Sequence, residues 1–115
     1  MSKKTNFKDA ISEFKDSPAC TDAFVRLKLN MKILMQEDPE NSAVYLIIYE
    51  FSRKHHIYYE DQAVSPETSK SAKDQMVGYL NLLEEAYVKH NKKLLFENLS
   101  GISYDYFTQG RVLEP

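Results

Sequence analysis

The feature that most constrains this chain is a seam of residues spaced alternately four and three apart: Met76, Leu80, Leu83, Tyr87, His90 and Leu94. That rhythm holds a stripe on one side of an α-helix for about five turns. A strand, with its period of two, would send alternate members of the set to opposite faces. Ala72 carries the seam backward, while Val77, Leu82, Ala86 and Leu95 widen it beyond the narrow stripe of a bare coiled coil.

The start of this element is equally well marked. Ser65 can cap it, Pro66 stands at the first helical position, and Glu67 and Thr68 fill the first turn. The spacing predicts a helix over about 66–98, with "HNKK" as its weak point and Ser100–Gly101 as a glycine-type C-terminal stop. Gly78 inside it lowers helicity but would let a neighbouring helix come close.

Three further segments read as helices. Phe7, Ile11 and Phe14 form one stripe over about 6–15. Cys20, Phe24, Leu27, Met31 and Leu34 repeat at four, three, four and three over about 19–36, and "EDPENS" stops that helix because Pro39 cannot continue it. Its start has two candidates, Ser17–Pro18 and Thr21–Asp22. The run "AVYLIIY" fits either a buried strand or a central helix, since a continuous apolar segment has no period to separate them. Strand partners are scarce, so a helix over about 42–56 is preferred, with a strand over 43–51 as the alternative. The remainder, 101–115, alternates Ile102, Tyr104 and Tyr106 and reads as a partly extended tail over the bundle. The expected architecture is therefore an all-α, single-domain bundle of four to five helices. Only three glycines and four prolines in 115 residues argue against a turn-rich β-sandwich.

Composition narrows the classes of function. Net charge is −2, and acidic and basic groups are mixed along the chain rather than gathered into a basic excess, which disfavours nucleic acid as a partner. No apolar run approaches the roughly 20 residues needed to cross a bilayer. The single Cys20 can form no internal disulfide, and "MSKKTNFKDA" has no apolar run behind its charges. A cytoplasmic location is expected.

Catalytic signatures are missing. The chain contains no G-x-S-x-G, phosphate-binding loop, dinucleotide-binding glycine pattern or His-Glu-x-x-His. No Glu-x-x-His occurs, which removes the bundle enzymes with two metal ions. Cys20 fits an apolar stripe better than a nucleophile's position, because no histidine neighbours it in sequence. Glu84–Glu85 and Glu60–Asp61 are adjacent acids that point about 100° apart on a helix and read as solvated faces.

One stretch, "FSRKHHIYYED", invites a metal reading. His56 and Glu60 share a helix face, as do His55 and Tyr59; His90 is the only remaining histidine, and Asp61 or Cys20 would have to complete a shell of three or four ligands. The plainer reading is a basic last helical turn that complements the negative end of the helix dipole. No cofactor is expected. The excess of tyrosine points instead to contact with another protein or a second copy of this chain, because tyrosine buries area while keeping a polar tip. The residues expected to make that contact are Tyr87, Leu95, Phe96, Tyr104, Tyr106 and Phe107. The expected function is thus a small non-catalytic interaction module (adaptor, regulator or inhibitor), with a homodimer through the long helix as one form. A metal- or ligand-binding bundle built on His55, His56 and His90 is the alternative, and a helix-turn-helix nucleic-acid module the third.

Overall fold

The computed structural model describes residues 6–59 and 64–108. Among them every regular element is helical: α1 Phe7–Asp16, α2 Thr21–Glu37, α3 Ser42–Tyr59, α4 Pro66–Val88 and α5 Lys92–Thr108, with a single 3-10 turn at Pro39–Asn41.

Local chemistry sets most of these boundaries. Asn6 caps α1: its side-chain oxygen accepts from the Asp9 amide at 2.8 Å, and its amide group donates to the Asp9 carboxylate at 3.0 Å. That satisfies one of the four orphan donors at the helix start. α2 begins at Thr21, the second of the two candidate starts, with Cys20 at the cap position and no side-chain cap bond. Pro39 ends α2 and opens the 3-10 turn, and Ser42 Oγ donates to the Pro39 carbonyl at 2.7 Å as α3 starts. Ser65 caps α4 as expected, accepting from the Thr68 amide at 3.1 Å.

The "AVYLIIY" segment is helical, within α3. Val44, Tyr45, Ile48 and Phe51 face the interior, while Leu46 looks outward. The core is continuous from α1 to α5. Phe7, Ile11 and Phe14 meet Phe24, Leu27 and Met31 of α2, Tyr45 and Ile48 of α3, and Met76, Leu80 and Leu83 of α4. α1 and α2, and α2 and α3, run antiparallel, as the pairs they bring together show. Phe14 meets Phe24 edge-on at 5.0 Å between α1 and α2. His55 meets Phe24 at one end of the α2–α3 pair, and Tyr45 meets Asp38 at the other. Lys73 of α4 donates to the carbonyls of Lys15 and Ser17, placing a cation at the negative end of α1.

Two expectations about the long helix are corrected. It is not one helix over 66–98 but two, folded back on each other across Lys89–Asn91. The Asn91 amide donates to the Ala86 carbonyl and the His90 amide to Tyr87, both at 3.2 Å, and His90 takes a left-handed φ of 51°. This is the Schellman ending of a helix, with histidine where glycine is usual. Asn91 then caps α5 by accepting from the Leu94 amide at 3.0 Å. The seam accordingly stops being core at the turn: Met76, Leu80 and Leu83 are fully buried, Tyr87 is half-buried and His90 is exposed.

The second correction concerns the C-terminal segment. Residues 101–108, read as the start of an extended tail, continue α5, and Gly101 lies inside it rather than at its end. The rest of that tail, 109–115, lies outside the described residues. Gly78 does not serve a close helix approach either, since a β-carbon added there would meet nothing within 4 Å.

Candidate interaction surface

α5 is held to the bundle by one side. Ile102 is fully buried and Tyr106 stacks on Phe51 of α3 with ring centroids 4.2 Å apart. Leu95 and Leu99 pack partly against the core. One polar latch supports this face: the Tyr79 hydroxyl donates to the Asp105 carboxylate at 2.6 Å and accepts from Gln75 at 2.8 Å. Burial first, and the bond to Asp105 second, push the Tyr79 phenol well above its ordinary range.

The opposite side of α5 carries three large exposed rings. Phe96 is 72% exposed, Tyr104 70% and Phe107 77%. On a helix Phe107 falls about 20° from Phe96 and Tyr104 about 80° from it, so the three share one stripe about 16 Å long. Ser100 and Ser103, both exposed, lie between them. A scattered exposed ring needs no explanation, but three on one stripe form a patch.

Between α4 and α5, on the side of α5 that faces the bundle, lies an open groove of about 490 Å³ lined by Gly78, Tyr79, Leu82, Gly101, Ile102 and Asp105. Both glycines face open space there, so each leaves helix backbone and a dent where a side chain would stand.

A second cavity of about 320 Å³ opens where the α2–α3 connection meets the α4–α5 turn. Asp38, Glu40 and Asn41 line one wall, with Tyr87, His90, Lys92 and Leu95 opposite. Asp38 Oδ2 accepts from the Tyr45 hydroxyl at 2.6 Å and from Asn41 at 2.9 Å, and these bonds hold its carboxyl below the usual carboxylate range. The Tyr45 phenol is raised in turn, chiefly by burial.

The residues expected to make a contact therefore divide. Phe96, Tyr104 and Phe107 come together on one exposed face. Tyr87 is half-buried and packs edge-on against Phe7 at 4.9 Å, and Leu95 is half-buried beside it in the second cavity. Tyr106 is only 9% exposed and belongs to the core, because a continuous α5 turns it inward at the position of Ile102 plus four.

The histidine constellation is not assembled. His55 is buried, lying flat on Phe24 at 3.8 Å with Tyr59 at 4.7 Å. His56 lies 3.5 Å from the Lys28 ammonium. His90 stands at the other end of the bundle: Tyr87 neighbours Tyr45, and His55 is ten residues further along α3, about 15 Å of helix away. Glu60 and Asp61 lie outside the described residues. No group of three or more His, Cys, Asp or Glu placed to hold a metal ion occurs among the described residues. No helix among them is long and apolar enough to cross a membrane.

Comparison with protein-family models, with curated proteins and with solved structures gives no match for this chain. The aromatic face of α5 was hidden in the sequence by Gly101. Read as a stop, that glycine separates Phe96 from Tyr104 and Phe107; read as an interior residue, it puts all three in phase.

Proposed function

We propose that this chain is a non-catalytic protein-binding module, acting in the cytoplasm as an adaptor, regulator or inhibitor, and that the outer face of α5 is its contact surface. The observation that carries the reading is the trio Phe96, Tyr104 and Phe107, each at least 70% exposed on a single helical stripe. The interior does not need these rings, because Ile102 and Tyr106 already seat α5 on the bundle. Aromatic anchors flanked by small residues are how helices present hot spots to a groove or to another helix.

The mechanism is burial. Each ring loses its contact with water against a complementary apolar surface. The test is a set of single alanine substitutions at Phe96, Tyr104 and Phe107, followed by affinity capture of bound protein. Capture should fall for each variant while helical content and thermal midpoint stay unchanged. Undiminished capture by all three variants would remove α5 as the surface.

A further inference from the structure

We infer that the cavity between the α2–α3 connection and the α4–α5 turn binds a small ω-amino carboxylate, a zwitterion whose ammonium and carboxylate are held apart by an aliphatic spacer. The site uses none of Phe96, Tyr104 and Phe107, so it is independent of the contact face on α5.

The two walls carry opposite charge. Asp38 and Glu40 stand on one, Lys92 on the other with His90. Neither Glu40 nor Lys92 makes an ion pair among the described residues, so the walls face each other without closing the gap. The C-terminal end of α4 and the N-terminal end of α5 both border the space, so their dipoles offset and the side chains decide its polarity. An ion of one sign would be held by one wall and repelled by the other. A molecule carrying both signs is held by both.

Asp38 is a prepared end of this site. Its Oδ2 accepts from the Tyr45 hydroxyl at 2.6 Å and from Asn41 at 2.9 Å, and Tyr45 is itself fully buried. Those bonds keep the carboxylate ionised and fix its orientation, while Oδ1 remains to accept from an ammonium. At the other end, His90 holds a φ of 51° where glycine would be unstrained, which sets an imidazole on the cationic wall at a cost in backbone energy. Strain of this kind collects at sites that grip a ligand. The half-buried Tyr87 ring, with Ala86 and Leu95, supplies apolar lining for a spacer.

Size limits the ligand. A cavity of about 320 Å³ lies at the small end of ligand pockets. At the ~30 Å³ that a water occupies in the liquid, it holds roughly ten non-hydrogen atoms, and 6-aminohexanoate has about nine. An α-amino acid carries both charges on one carbon, too close together to reach opposite walls.

The probe is 6-aminohexanoate, titrated into the full chain and followed by amide chemical shifts. Saturable shifts should centre on residues 38–41 and 90–95, with a Kd below about 1 mM. Hexanoate and hexylamine, each with one charge, should bind at least ~10-fold more weakly, and so should L-leucine. Lys92→Gln and Glu40→Gln, at exposed positions that the fold does not need, should each weaken binding roughly three- to fivefold, less at high salt. His90→Gly should weaken it roughly threefold while raising the thermal midpoint, a split that a merely structural histidine would not give. Phe96→Ala should leave the titration unchanged, which separates this site from the α5 face. No saturable shift up to about 10 mM probe overturns the site. Hexanoate or hexylamine binding as tightly as the zwitterion overturns recognition at both ends, and L-leucine doing so overturns the spacer.

Discussion

His55 is buried at a cost to stability. It is 2% exposed, and neither ring nitrogen has a hydrogen-bond partner among the described residues. An imidazole held this way is stacked like a phenylalanine but carries the cost of two unsatisfied polar atoms. Burial, with the neighbouring charge of His56 adding to it, lowers its pKa to about 4. The unfolded chain, titrating near 6.5, therefore takes up the proton first as pH falls. The folded state is at its most stable above pH 6.5 and loses stability progressively down to about pH 4. Between pH 7 and pH 5 the loss should be about 2 kcal/mol. Glu13 and Asp38, held below the usual carboxylate range by hydrogen bonds from Arg26 and Tyr45, add their losses only at lower pH. Urea unfolding of His55→Phe at both pH values checks this. The variant should be more stable at pH 7 by about 1–3 kcal/mol, the cost of the unsatisfied atoms, and nearly flat across the window; an equally steep profile would assign the titration elsewhere. Sequence could not place this residue, because "FSRKHHIYY" read as the polar end of a helix at 56. The helix instead runs on to Tyr59, which keeps His55 in phase with Phe51 and Tyr59 on the buried side.

At the scale of elements, the α4–α5 turn is where sequence and structure part. Caps with side-chain signatures were legible: Ser65–Pro66 started α4, and Pro39 stopped α2. The stripes Phe7–Phe14 and Phe24–Leu34 gave the core of α1 and α2, because regular spacing survives folding unchanged. The turn was not legible as a stop, since nothing in the type of His90 marks a left-handed residue, whereas Gly101 resembles one and is not. Two substitutions separate the readings. His90→Gly should stabilise by about 0.5–1 kcal/mol, because glycine adopts a φ of 51° without a Cβ clash. Gly101→Ala should stabilise by about 1 kcal/mol, since its Cβ would meet open space in the middle of a helix. A helix ending at Gly101 would give the opposite sign for the second change, so thermal denaturation of that one variant decides where α5 ends. Asn91→Ala, which removes the α5 cap, should cost about 1 kcal/mol.

Across the whole molecule, burial is unevenly shared, and α5 stands at the weak end. α1 to α4 each send at least four residues into the interior, and α5 sends Ile102 and Tyr106. Elements with few buried contacts open at lower free energy than the global transition. The Tyr79–Asp105 latch then matters more to α5 than its single bond suggests, because it is a hydrogen bond to a carboxylate, worth about 1.5–3 kcal/mol. Tyr79→Phe removes it and keeps the ring against Phe51. Native-state hydrogen exchange should then show α5 amides exchanging ~10–100-fold faster, the same free energy expressed as an opening constant. Amides of α2 and α3, which pack most extensively on each other, should keep their protection. Equal acceleration in all five helices would mean that α5 unfolds only with the rest. Selective loosening would instead show that the surface carrying Phe96, Tyr104 and Phe107 sits on an element the bundle can release, so that anything binding there also stabilises α5.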